Sequence, residues 1–134
     1  MLTEKYEAVP IVDVDDIVKV RHRVRDCAVD MGFSLVDQTK LVTAASELAR
    51  NTLVYGLGGT MLVERVANDT RRGLRLTFED HGPGIPDVQL ALKDGFTTSS
   101  GLGLGLSGAR RLSQDFHIES TPGKGTRVVI ARWK

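Results

Sequence analysis

Four short stretches hold the residues whose types and spacing could do chemistry. Glu47 and Asn51 stand four apart, a spacing that puts an acid and an amide on one face of a helix. Asp80-x-Gly82-x-Gly84 follows, then Gly101-x-Gly103-x-Gly105, then Gly123-x-Gly125-Thr126. Seven of the chain's 14 glycines, at 82, 84, 95, 101, 103, 105 and 108, fall within or just beyond one stretch of the chain. Glycine weakens helices and strands, so such density marks backbone that takes unusual dihedrals or approaches a ligand closely. With a carboxylate between a strand and a turn, and the polar run Gly95-Phe96-Thr97-Thr98-Ser99-Ser100 between the two clusters, the pattern reads as a nucleotide site.

Two common nucleotide designs do not fit. A P-loop needs Gly-x-x-x-x-Gly-Lys-Ser/Thr. The only Gly-Lys pair, Gly123-Lys124, has Ile118 in place of the first glycine and Gly125 in place of the hydroxyl. A dinucleotide fold needs Gly-x-Gly-x-x-Gly, which Gly103, Gly105 and Gly108 satisfy, but that motif must follow a strand and open a large βαβ unit. Here a polar segment precedes it, and only 26 residues remain after Gly108.

The elements that must position these residues can be read in order. Residues 7–12 form a β-branched first strand. Asp13 caps a helix with Asp15 and Asp16 in its first turn, where the dipole favours negative charge. Ile17, Val20, Val24, Cys27, Ala28 and Met31 repeat at helical spacing, and Gly32 ends the helix. Cys27 lies on that stripe as a packed thiol. The other face carries Lys19, Arg21, His22, Arg23 and Arg25, a solvated face or a docking surface for an acidic partner. Ser34 begins a second helix, with Asp37 as a weaker capping-box residue. Leu41, Ala45, Leu48 and Thr52 line its stripe, and Gly56 stops it. Glu47 and Asn51 lie beside the stripe, which should hold both side chains at the edge of the core.

Strands over residues 60–67 and 74–78 are predicted next, joined by a turn rich in hairpin residues, with Asp80 at the end of the second. Pro86 and Asp87 lead into a short helix over 88–92. Residues 104–112 read as a helix despite Gly108. Strands over 116–120 and 127–133 close the chain across Pro122-Gly123-Lys124-Gly125.

At 134 residues the chain is expected to be one domain spanning 1–134, large enough for a real core. A hydrophobic content of 41% and a charged content of 26% suit a globular protein in water. A net charge of +1 provides no field that favours nucleic acid or a membrane surface. No apolar run approaches the roughly 20 residues of a membrane span. The N-terminus lacks a signal-peptide pattern, and one cysteine cannot form an internal disulfide, so a cytoplasmic location is expected.

The four stretches, in this order, resemble the boxes of the GHKL or Bergerat-fold ATPases, which include gyrase, heat-shock-90, histidine-kinase and mismatch-repair proteins. The resemblance spans nearly the whole chain. It implies an α+β fold, a two-layer sandwich in which a mixed, mostly antiparallel sheet carries helices on one face, with ATP held among the helices under a lid. Asp37-Gln38, Ser46-Glu47-Leu48-Ala49-Arg50-Asn51, Asp94-Gly95-Phe96-Thr97-Thr98-Ser99 and Arg132-Trp133 are similar to the anti-sigma-factor serine kinases, and among these to the RsbT-type switch kinases of the bacterial stressosome.

The resemblance implies the following roles. Asp80 would accept from the adenine amine, with Gly82 and Gly84 letting backbone pass close to the ring and Thr126 supporting the same side. Gly101, Gly103, Leu104 and Gly105 would face the phosphates with free N–H groups at a helix start. Asn51 would offer an oxygen to Mg²⁺, and Glu47 would accept the proton of the attacking hydroxyl. Glu47 could instead pair with Arg50. Lys124 and Arg110 could reach phosphates, and His81 has no assigned role. The expected activity is ATP-dependent phosphorylation of a STAS-domain antagonist or scaffold protein in a stress-response partner switch, followed by activation of a PP2C-type phosphatase. Two rivals are an anti-sigma factor that holds a sigma factor directly and an ATP-gated adaptor with negligible transfer.

Overall fold

Asp13 and Asp16 cap each other at the start of the first helix. The Asp13 carboxylate accepts from the Asp16 N–H at 3.3 Å, and Asp16 accepts from Asp13 N–H at 3.1 Å and Val12 N–H at 2.8 Å. The two backbone donors hold the Asp16 carboxyl below the usual carboxylate range. In the computed structural model, which describes residues 2–92 and 104–134, this helix is α1 (Val14–Asp30), preceded by strand β1 (Leu2–Ile11). Then come α2 (Leu35–Val54), β2 (Gly59–Ala67), β3 (Arg72–Asp80), the short α3 (Val88–Ala91), α4 (Leu104–Leu112), β4 (Asp115–Thr121) and β5 (Gly125–Trp133).

The strands form one sheet in the order β1-β2-β3-β5-β4, and all four pairings are antiparallel, the limiting case of the mostly antiparallel sheet expected. β1 starts at Leu2 rather than at residue 7. Its first residues pair with Arg65, Val66 and Ala67 across a bulge between Thr3 and Lys5. Thr3, Glu4 and Lys5 show no apolar alternation, so only the partner strand reveals them as sheet.

Val9, Ile11, Met61, Val63, Leu74, Leu76, Phe78, Val128 and Ile130 point to one face and join Val20, Val24, Leu41, Leu48, Leu106 and Ala109 from the helices in one core. The opposite face carries charge, including the Glu64–Arg75 pair at 2.9 Å. Helices on one face of an antiparallel sheet make this a two-layer α+β fold.

α2 is buried more widely than its stripe suggested, since Val42, Ala44 and Ala49 join Leu41, Ala45, Leu48 and Thr52. It packs against α1, α4 and the sheet together. Asp37 does not complete a reciprocal box with Ser34. The Ser34 hydroxyl accepts from Asp37 N–H, and the Asp37 carboxylate turns to Arg132 of β5 at 3.0 Å. Trp133 lies over Gly73, where a Cβ would meet its ring, and its Nε1–H donates to Asp115 at 2.8 Å. Among the described residues, no helix is long and apolar enough to cross a membrane.

Candidate nucleotide site

Asp80 is the last residue of β3 and shares the parity of Leu74, Leu76 and Phe78, so strand alternation delivers its carboxylate to the helix-covered face. It is 8% exposed. Oδ1 accepts the Gly82 N–H at 3.0 Å and the Thr126 N–H at 3.3 Å, whereas Oδ2 has no partner among the described residues. Burial pushes the carboxyl above the usual carboxylate range, and the two backbone donors pull it part of the way back.

Glycines make room for this side chain. A Cβ on Gly56 would overlap the Asp80 carboxyl, and one on Gly125, which holds φ 125°, would overlap the Asp80 carbonyl. Gly82 and Gly84 were expected to bring backbone close to a ligand. Within the protein they already abut other backbone: Gly82 would place a Cβ against the Gly56 peptide, and Gly84, at φ 77°, against the Thr121 carbonyl.

Asp80 shares a pocket with Asn51, Gly84 and Thr126, walled by Leu48, Phe78, Ile85, Leu106 and Val128. Apolar walls around a few convergent polar groups are the usual make-up of a small-molecule site. The Asn51 Nδ2 is buried with no hydrogen-bond partner among the described residues, an omission that proteins seldom tolerate without a ligand or water. The space between these walls is small, about 30 Å³.

Of the sequence-predicted residues, the fold brings Asn51, Asp80, Gly84 and Thr126 to one pocket and packs Gly82 behind it. Glu47 lies on α2 one turn before Asn51, outside the lining. It is exposed rather than held at the core edge, and among the described residues it forms no ion pair with Arg50 or any other group. Leu104 and Gly105 open α4. Gly101, Gly103 and the expected lid from residue 94 onward lie outside the described residues.

Arg110 and Lys124 do not line this pocket. Arg110 Nη2 donates to the Leu92 carbonyl at 3.2 Å, and Lys124 lines an adjoining shallow cleft that shares Asp80 and Thr126 with it and adds Glu79, His81 and Arg127. Among the described residues, no group of three His, Cys, Asp or Glu side chains is arranged to hold a metal.

Sequence reading missed two residues. Gly56 reads as a helix stop, and only the packing of that turn against β3 shows that it seats Asp80. Ser120 reads as one more polar strand residue. Its hydroxyl accepts the Ile85 N–H at 2.7 Å and lies 2.8 Å from Thr126 Oγ1, tying the loop after Asp80 to the last glycine box.

A larger cleft of about 470 Å³ lies between α1 and β1, lined by Lys5, Glu7, Arg23, Arg25, Cys27 and Arg65 among others. Arg23 pairs with Glu7 and Arg65 with Asp30, so much of its charge is already neutralised. Cys27 is partly buried against the core, as its stripe position implied, and also borders this cleft.

An antiparallel sheet under helices, with Asn51 and Asp80 facing one pocket, is the arrangement of a nucleotide-binding α+β domain. The chain belongs to the histidine kinase-, DNA gyrase B- and HSP90-like ATPases, whose family profile matches residues 36–134. It is 45% identical over 118 residues to the serine/threonine-protein kinase RsbT of Bacillus subtilis (strain 168), covering 88% of this chain and 89% of that one. An anti-sigma F factor of Thermoanaerobacter sp. (strain X514) is 30% identical over 96 residues, covering 68% of this chain and 66% of that one. In fold, the chain matches the RsbU and RsbW domains of Rv1364c from Mycobacterium tuberculosis, with a TM-score of 0.67 at 18% identity, over 97% of this chain and 33% of that one. The protein is accordingly an ATP-dependent enzyme of the serine/threonine-protein kinase class, in a family that also contains anti-sigma factors.

Proposed function

We propose that this kinase phosphorylates a STAS-domain antagonist in a bacterial partner-switching pathway and, once released, engages a PP2C-type phosphatase. The observation that carries the nucleotide half of this reading is the buried Asn51 Nδ2, which has no hydrogen-bond partner among the described residues, set in one pocket with Asp80 and Thr126. The 45% identity to RsbT supports the kinase half. Mg-ATP would supply the phosphoryl group and the charge-neutralising ion.

The chain's own residues would do the rest. Asp80 Oδ2 accepts from the exocyclic amine of adenine, and Gly82 and Gly84 shape the turn that holds Asp80 in place. Asn51 offers its N–H to a phosphate oxygen and its oxygen to hydrated Mg²⁺. The start of α4, with Leu104 and Gly105, would present backbone N–H groups to the phosphates, and Gly101 and Gly103, which lie outside the described residues, would add to that set. Glu47, exposed one turn from Asn51 and without an ion-pair partner among the described residues, would accept the proton of an incoming protein hydroxyl.

Labelled ATP and a panel of STAS-domain proteins test this directly. Glu47→Ala should lower transfer by about 10²–10⁴-fold, the usual share of a general base, with ATP affinity within a few-fold of wild type. Normal transfer by that variant would remove Glu47 from the chemistry, and no transfer to any STAS protein by the wild type would favour an ATP-gated adaptor. The relation to anti-sigma F factors favours one second reading, direct retention of a sigma factor. Recovery of a sigma factor, rather than a phosphatase, with the purified chain would establish it.

A further inference from the structure

In the turn that follows α2, three of four residues are glycine, Gly56, Gly58 and Gly59, and the fourth is Leu57. Among the described residues, Leu57 is the one non-glycine with a positive φ, 62°. Left-handed backbone crowds the Cβ of an L-residue against the following carbonyl, so glycine or asparagine would suit this position better. The leucine side chain repays nothing within the fold, because it is 80% exposed. Strain of this kind gathers where a side chain serves something other than stability. Leu57 also has apolar company. Val54, at the end of α2, is 50% exposed, and Val12 and Val14, where β1 passes into α1, are each 71% exposed. Ile11 and Gly59 are register partners, so that crossing lies beside the turn.

Helical spacing ties this patch to Glu47. Val54 follows Glu47 by seven residues, two turns on along the same face and about 10 Å along the axis. Arg50 lies between them on that face, exposed. We propose that this end of α2 is where the protein substrate docks, with Leu57 and Val54 as apolar anchors and Arg50 as the contact for an acidic side chain. The proposal rests on Glu47 meeting the acceptor hydroxyl. A specific protein interface takes about 800 Å² from each partner, a patch roughly 30 Å across. A footprint of that size centred on Glu47 covers Arg50, Val54 and the turn. The order of the three residues describes the partner: a Ser or Thr, then a carboxylate, then an aliphatic patch. None of Arg50, Val54 and Leu57 lines the nucleotide pocket, so their loss acts on the acceptor and not on ATP.

The test is transfer from labelled ATP to the STAS-domain protein that the wild type phosphorylates, measured against acceptor concentration. Leu57→Asn should raise KM for the acceptor about tenfold, the usual worth of a leucine carried from water into an interface. Its kcat and ATP dissociation constant should stay within about twofold, and its unfolding midpoint should not fall, because asparagine accepts left-handed backbone. Leu57→Met keeps the apolar area and should stay within about threefold of wild type. Arg50→Ala should raise KM by about tenfold as well, since arginine is among the residues whose truncation most often dominates an interface. Added salt should raise the wild-type KM more than that of Arg50→Ala. An acceptor KM unchanged in both Leu57→Asn and Arg50→Ala would overturn the docking surface, whatever Glu47→Ala does to transfer. A weaker ATP complex in Leu57→Asn would show that the turn only holds Asp80 in place, and would overturn it too. Loss of self-association or of phosphatase binding at an unchanged KM would assign the patch to a second copy or to the phosphatase instead. If the wild type transfers phosphate to no STAS-domain protein, the substrate reading falls first and this proposal with it.

Discussion

Asp80 is pulled in two directions, and their balance sets a pH dependence. Burial favours its neutral form, while the N–H groups of Gly82 and Thr126 favour the carboxylate. Burial is the larger effect, so its pKa stands above that of an ordinary aspartate. An acceptor for the adenine amine must be ionised or at least keep Oδ2 bare, and acidification through the raised pKa puts a proton on that oxygen. ATP affinity should therefore begin to fall at a higher pH than the usual ~3.9 of aspartate would allow. Asp80→Asn should bind ATP weakly at every pH, with no such titration, because its amide nitrogen stands where Oδ2 stood. Measuring the ATP dissociation constant from pH 7 downward checks both statements. The sign for stability is opposite to that for binding. The folded state holds the Asp80 proton more tightly than the unfolded chain, so ionisation as pH rises through the raised value costs the fold stability. Glu64, held below its ordinary range chiefly by Arg75, contributes stability above its unfolded pKa that is lost as pH falls through its lower folded value. At this scale the meeting of Asn51, Asp80 and Thr126 at one pocket was expected from the order of the boxes and the resemblance they carry. Gly56 and Ser120 were not, since each matters through a neighbour that only the strand register and the turn after α2 bring near.

Arg132 joins three elements that are far apart in sequence. It reaches Asp37 at the start of α2 at 3.0 Å and donates through Nη1 to the Leu112 carbonyl at the end of α4 at 3.1 Å, from a side chain only 13% exposed. Asp37 and Arg132 had each stood out for likeness to the serine kinases; the fold explains them together, as a clamp holding the two helices that frame the pocket. Arg132→Ala should lower unfolding stability by roughly 1–3 kcal/mol, the usual cost of leaving a largely buried charge-assisted partner unmet. Chemical denaturation checks this, and Asp37→Ala in the same background should add less than its separate cost, because the two share one interaction. The helices were legible from apolar period and caps, and the β4–β5 turn from its glycines. The first residues of β1 and the insertion of β5 between β3 and β4 were not. Both are set by long-range pairing, which leaves no local period in a polar stretch such as Thr3-Glu4-Lys5.

Across the whole molecule, the candidate pocket draws its lining from α2, β3, the loop after it, α4 and β5. A nucleotide bound there touches parts of the chain from Leu48 to Val128, so global unfolding must release it. Any ligand held by the folded state alone stabilises that state by RT ln(1 + [L]/Kd), about 2.7 kcal/mol at a hundredfold excess over Kd. For a chain of 134 residues this is on the order of 10 °C in the unfolding midpoint. The shift divides the proposed roles without any assay of transfer. Glu47 stands outside the lining, so Glu47→Ala should keep nearly the full shift while losing phosphorylation. Asp80→Asn at the same ATP concentration should lose most of it, although its own midpoint without nucleotide should not fall, because a carboxylate that burial penalises has been replaced by a neutral group that retains the Gly82 and Thr126 bonds. Thermal scans with and without ATP and Mg²⁺ measure this. A Glu47→Ala protein that loses the shift, or an Asp80→Asn protein that keeps it, would mean that the acid on α2 and the acid at the end of β3 have been given each other's work.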